Sequence, residues 1–188
     1  MGSGLAPLRI AVAALMLFGV AGRPADAAGN GEADSLAAWN QILPVLEHPR
    51  CLNCHQADMP LQGDERRLHV PRVQRGADGM GVAGMRCYAC HNATGSNETS
   101  GTPGAEGWSL APIETLWQGQ SSGDICRQLK DPRRNGGRDG AKLIEHVSTP
   151  LVLYGWNPGG DRSKVPVSHD EFVKQLKRWI DGGSACPA

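Results

Sequence analysis

Apolar side chains recur along this chain with two spacings, and both bear on architecture. Near the N-terminus they form an unbroken block, Ile10 to Val20, behind a basic residue at Arg9 and ahead of an Ala-Asp-Ala exit at residues 25–27. That layout is a secretory signal, residues 1–27; the block is shorter than the roughly 20 residues that span a bilayer. Everywhere else the apolar spacing is helical. In "ADSLAAWNQILPVLEHP", Leu36, Trp39, Ile42, Leu43 and Leu46 share one face, predicting a helix capped near Asp34 or Ser35. Pro44 is placed to kink it and Pro49 to end it. A second helix is predicted from about Pro112 to Lys130, broken near Gly119–Gly123, where Ser121 or Ser122 can cap the later segment. "DGAKLIEHV" predicts a short helix carrying His146. The clearest element is "SHDEFVKQLKRWIDGG", where Ser168 and Glu171 form a capping box. Its Phe172, Leu176, Trp179 and Ile180 fall on one stripe, and Gly182–Gly183 stop it. Residues 56–84 and 92–107, rich in Gly, Pro and polar groups, read as ordered loop and surface loop. The class expected is all-α, mostly helix and loop, in a single domain over residues 28–188.

Composition sharpens that picture. Two Phe, two Tyr and five Trp are a thin aromatic supply, and Gly plus Pro account for 38 of 188 residues. Such a chain buries little apolar area against the cost of ordering it, so disulfides, a metal or a large apolar cofactor are needed as organisers. Charge excludes more than it suggests. Removing residues 1–27 takes out Arg9, Arg23 and Asp26 and leaves 17 basic against 18 acidic side chains. A near-neutral chain without a basic tract gives no footing to nucleic acid. No segment after the signal is apolar enough to cross a membrane, so the mature chain is expected in the periplasm.

The six cysteines carry the chemistry. Four of them form C-x-x-C-H twice, as Cys51-Leu52-Asn53-Cys54-His55 and Cys87-Tyr88-Ala89-Cys90-His91. This is the attachment motif of c-type haem. Cysteines three apart reach the two vinyl groups on one porphyrin edge, and the next residue projects beneath the ring, where its imidazole can bind iron. Competing readings explain less. A redox C-x-x-C needs a βαβ setting that neither motif has. A zinc site joining the two pairs would span 32 intervening residues and leave both histidines without a role. The expected cofactors are therefore two covalently attached haems c, bound by Cys51, Cys54, Cys87 and Cys90, with His55 and His91 as proximal ligands. Cys126 and Cys186 remain. In an exported chain they most simply form a disulfide, the alternative being a thiolate ligand to iron.

Each proximal histidine leaves one iron face open. His69 stands in "RRLHVPRV", a loop able to fold back over a ring, and His146 sits on its short helix beside Leu143 and Ile144. Met80, flanked by glycines in "GADGMGVAGM", is the third distal candidate. His48 and Met85 are too close in sequence to their own motifs to reach over those haems, and His169 occupies an ordinary helix-cap position. Two imidazoles would favour ferric iron, whereas a thioether would favour ferrous.

With these residues in view the chain resembles small exported dihaem c-type cytochromes. "HVPRVQRG", "GMRCYACH", "ICRQLKD", "YGWNPG" and the terminal W-x-x-x-G-x-x-C-P are similar to segments of the cytochrome subunits that accompany isoquinoline 1-oxidoreductase-type molybdenum hydroxylases. The resemblance extends over most of residues 36–188. It implies a cytochrome c-like fold organised around two haems. It also implies a redox partner, a periplasmic dehydrogenase or molybdenum hydroxylase, that passes electrons to this chain on their way to the respiratory chain. An electron carrier is thus expected rather than an enzyme, although it could serve as a subunit of an oxidoreductase complex; no catalytic residue is assigned. The alternative is a haem enzyme or sensor with an open distal site at one haem.

Overall fold

In the computed structural model the described residues are 1–2, 25–94 and 101–188. The expected export signal, apart from its ends, and part of the polar loop after Asn92 lie outside them. Six α-helices occur among the described residues: α1 (Ala25–Leu46), α2 (Pro49–Leu52), α3 (Ser122–Lys130), α4 (Gly140–His146), α5 (Pro150–Leu153) and α6 (His169–Asp181). Strand is limited there to β1 (Leu61–Gln62) and β2 (Arg67–Leu68), two residues each and antiparallel, pairing Leu61 with Leu68. The fold is mostly helix and loop, compatible with the all-α class.

The core lies where α1 crosses α6. Trp39, Ile42, Val45 and Leu46 from α1 meet Phe172, Leu176 and Trp179 from α6, with Ile125, Cys126 and Leu129 of α3 and Leu143 of α4 closing the sides. The Trp39 and Trp179 rings lie 5.5 Å apart, and deleting either indole would cost about 3–5 kcal/mol. Of the expected face, Trp39, Ile42 and Leu46 are buried, Leu43 packs half-buried against the core and Leu36 is half-buried, with Ser35, Ala38 and Val45 completing the buried stripe of α1.

Two helices depart from the sequence expectation, each for a tertiary reason. α1 begins at Ala25, well before Ser35, which places the Ser35 hydroxyl inside the helix rather than at its cap. It donates to Trp179 O at 2.8 Å and accepts from Ala185 N at 2.9 Å, locking α1 to the end of α6. The helix also continues through Pro44 and stops two residues later. The stretch expected to be helical from Pro112 forms only a 3-10 turn over Ile113–Thr115, then runs extended at Leu116. The Gln128 side-chain amide donates to the carbonyls of Glu114 and Leu116, at 2.6 and 3.3 Å, which supplies partners a helix would otherwise provide. Helix proper starts at Ser122, with Ser121 as cap accepting from Asp124 N. In α6 Ser168 caps Glu171 N, while the Glu171 carboxylate turns to Gln175 and Lys174 rather than back to the cap.

Cys126 and Cys186 are joined by a disulfide of 1.99 Å, which ties α3 to the C-terminal segment.

Candidate functional site

The first motif is built by α2. Pro49 occupies the first helical turn and His48 caps it, its Nδ1 accepting from Arg50 N at 3.2 Å. The helix ends at Asn53, and Cys54 N and His55 N both bond to Cys51 O at 3.2 Å, so the turn that carries the two cysteines also delivers the histidine. The His55 ring stacks on Trp117, with ring centres 3.4 Å apart and planes 9° from parallel. Its Nδ1 lies 2.6 Å from Thr115 O. A carbonyl can only accept, so Nδ1 carries the proton and Nε2 presents a lone pair, the arrangement typical of a metal-binding imidazole.

Cys51, Cys54 and His55 line a cavity of about 590 Å³, walled by Val45 and Leu46 of α1, Phe172 and Leu176 of α6, and Tyr154. His146, at the end of α4, lines the same space. α4 is set there by the Asp139 cap and by Leu143 in the core. It is also set by Gly140, where a Cβ would fall 2.8 Å from Ile180 Cγ2, so only glycine permits this approach to α6. Burial pushes His55 down to about 4, against the opposing pull of the Thr115 carbonyl, with His146, Arg138 and Arg75 adding to the depression. Burial likewise takes His146 down to about 4, helped by Arg138. Both are neutral at pH 7, as ligands must be. Burial pushes the Cys51 thiol up to about 12 and Cys54 up to about 11, so neither is a thiolate nucleophile.

The second motif lies in loop. Cys87–Ala89 is a 3-10 turn with no side-chain cap, held by Cys87 N donating to Met80 O at 3.0 Å and His91 N to Cys87 O at 2.9 Å. The His91 ring stacks on Trp108, ring centres 4.1 Å apart and planes 22° from parallel. Its Nδ1 lies 3.1 Å from Thr102 Oγ1. Burial pushes His91 down to about 4, with His69 and Arg162 contributing. The His69 ring centre is 6.1 Å from that of His91, and His69 Nδ1 lies 2.8 Å from Pro71 O.

The residues present fit the cofactor that the motifs imply. The first cavity falls in the range of about 300–1,000 Å³ that accommodates a flat molecule of cofactor size. Its walls are mostly apolar, and each motif histidine has one further imidazole near it, His146 for His55 and His69 for His91. Among the described residues no group of three or more His, Cys, Asp or Glu is arranged to hold a bare metal ion. Met80 is placed beside the second motif by its backbone, its N–H donating to Asp78 Oδ1 at 2.9 Å. Outside both pairs, His48 serves as the α2 cap, and His169 Nε2 lies 3.0 Å from Val147 O. The chain matches no protein-family model, and neither a curated protein nor a solved structure matches it.

Several site residues carry no local signal in the sequence. Trp117 and Trp108, 62 and 17 residues after their histidines, become stacking partners only through the fold. The Thr115 carbonyl is aimed at His55 because Gln128 pulls that segment out of helix. Arg50, buried beside Cys51, pairs with Asp64 at 2.6 Å. The scarcity of aromatics in so short a chain is the one hint that each tryptophan has a specific place.

Proposed function

We propose that this chain is a periplasmic electron-transfer protein holding two c-type haems, one through Cys51 and Cys54, the other through Cys87 and Cys90. His55 and His146 would bind one iron, and His91 and His69 the other. When bound, each haem supplies a reversible one-electron centre. The protein's part is to keep His55, His146 and His91 neutral, to fix the orientation of the motif histidines, and to keep water from the first site. His55 is oriented by Thr115 O and Trp117, and His91 by Trp108 and Thr102. Ligation from both sides leaves no position for a small substrate, which suits electron carriage better than catalysis.

The observation that carries this reading is that each motif histidine is matched by one further histidine: His146 shares the cavity of His55, and His69 stands 6.1 Å from His91. Among the described residues no helix is long and apolar enough to cross a membrane, so the chain would meet its partners through its own surface. The chemistry fits a partner that oxidises its substrate and releases single electrons, such as a periplasmic dehydrogenase or molybdenum hydroxylase.

Denaturing electrophoresis with peroxidase staining, together with intact mass, tests the assignment on protein matured in an exporting host. Two covalently added haems are expected, with low-spin spectra that carbon monoxide leaves unchanged. A matured sample without the added mass would overturn the reading, and rapid carbonyl formation at one haem would turn it toward an enzyme or sensor.

A further inference from the structure

We infer that Trp108 and Tyr154 form the electronic bridge between the two haem pockets, a role that rests on the two-haem reading above. The Trp108 ring lies against His91, the ligand of the second site, and 5.0 Å from the Tyr154 ring, which it meets edge-on at 64°. Tyr154 in turn lines the cavity shared by Cys51, Cys54 and His55. Its hydroxyl is 3.4 Å from Arg50 Nη1, on the residue preceding Cys51. An unbroken file of π systems therefore runs from the imidazole of one site to the wall of the other.

The placement of Trp108 is not explained by its polar end. Its Nε1 is buried without a hydrogen-bond partner, an arrangement that weakens the fold rather than stabilising it. The indole is held by its faces and edges, between His91 and Tyr154. Burial pushes the Tyr154 phenol upward from its ordinary value, so this ring stays neutral. The spacing of the two motifs is fixed separately by backbone. Ala111 N donates to Cys54 O at 3.1 Å, Leu110 N to Gly79 O at 2.8 Å, and Cys87 N to Met80 O at 3.0 Å. Removing either ring should therefore change the medium between the sites without moving them. Tunnelling falls steeply with the width of the gap and less steeply through packed π systems than across a void.

The test uses holoprotein whose two haems have been verified by mass. A sub-stoichiometric flash of photoreductant delivers one electron, and the redistribution between the haems is followed by absorbance. Trp108→Leu and Tyr154→Leu should each slow that phase about tenfold, beyond any change that the potentials measured for each variant account for. Tyr154→Phe, which keeps the ring, should match the wild type. Should Trp108→Leu disturb His91 ligation, Tyr154→Leu carries the test, since that ring touches neither motif histidine. Redistribution at the wild-type rate in Tyr154→Leu would overturn the bridge and assign the transfer to the direct gap between haem edges. So would slowing in Tyr154→Phe equal to that in Tyr154→Leu, or a slowing that shifted potentials fully explain. Protein that matures without two haems defeats the parent reading instead, and the mass measurement separates that case.

Discussion

Around Cys51–His55 the chain is helical and enclosed. α2 is capped, Arg50 is buried, and walls from α1, α3, α4 and α6 close over the histidine. Around Cys87–His91 the same five-residue pattern sits on an uncapped 3-10 turn in loop; its cysteines and histidine are half-buried, but Tyr88 and Met85 beside them are 62% and 44% exposed. The motif fixes which atoms can bind a haem, and the surrounding fold decides what each haem would experience. A site walled by helices with arginines among them would disfavour the extra positive charge of ferric iron more than a half-buried site in loop would. One motif used twice can thereby give two unlike redox stations.

The largest expected effect comes from removing the second imidazole at each site. His146→Ala should leave one haem five-coordinate inside the enclosed cavity, and His69→Ala should leave the other five-coordinate in open loop. Each variant should lose one of two low-spin signals in magnetic circular dichroism and acquire carbon monoxide binding. The two should differ in rate, because carbon monoxide reaches an exposed iron faster than one behind α4 and α6. Two variants that keep both low-spin signals would dismiss the pairing, and equal carbonylation rates would dismiss the contrast between the sites.

How far this contrast could be read from sequence depends on the range of the interactions. The cysteine and histidine positions are local patterns, and so are the α6 stripe and its Ser168 cap. The enclosure is not local. Trp117 reaches His55 only because the segment after Pro112 leaves helix, and that follows from Gln128 binding two carbonyls 12 and 14 residues upstream. Ser35 looks like a helix cap in sequence, yet its hydroxyl serves residues 144 and 150 positions away. His69 and His146 could be nominated from sequence alone, but assigning each to one motif needed ring positions and a shared cavity.

A smaller effect should follow from opening the disulfide. Cys126 and Cys186 are 60 residues apart, and the bond ties α3, which supplies Gln128 and Leu129 to the first cavity, to the end of the chain. Cys126→Ser with Cys186→Ser should cost about 2–5 kcal/mol. The loss should appear as a lower Tm and as loosening of the first site, seen as carbon monoxide access there, with the second site unchanged. Equal loosening of both sites would mean that the second motif depends on the helical core as much as the first does.

The smallest effect is also the most specific, because it acts where the two regions meet. Asp64, in the hairpin that leads toward the second motif, holds the buried guanidinium of Arg50 beside the first at 2.6 Å, and accepts from Ser163 N at 3.0 Å. Only 1% of the Arg50 side chain is exposed against 38% of Asp64. The full cost of unpairing a buried ion is therefore reduced by water at the carboxylate, to about 2 kcal/mol for Asp64→Asn. Asparagine preserves an oxygen for Ser163 N but turns a donor toward Arg50 Nη2, so the substitution removes the charge together with the hydrogen bond to Arg50. The Ser163 amide, and after it the Arg50 charge, hold the Asp64 carboxyl below its ordinary 3.8. A depressed carboxyl stabilises the fold at pH above that ordinary value, and the stabilisation disappears as pH falls through the lower folded one. The Tm gap between wild type and Asp64→Asn should accordingly be widest near neutrality and close in acid, as the wild-type carboxyl takes up its proton. A gap that stays constant into acid would show that Asp64 acts through shape and hydrogen bonding alone, and that the buried Arg50 has its charge balanced elsewhere.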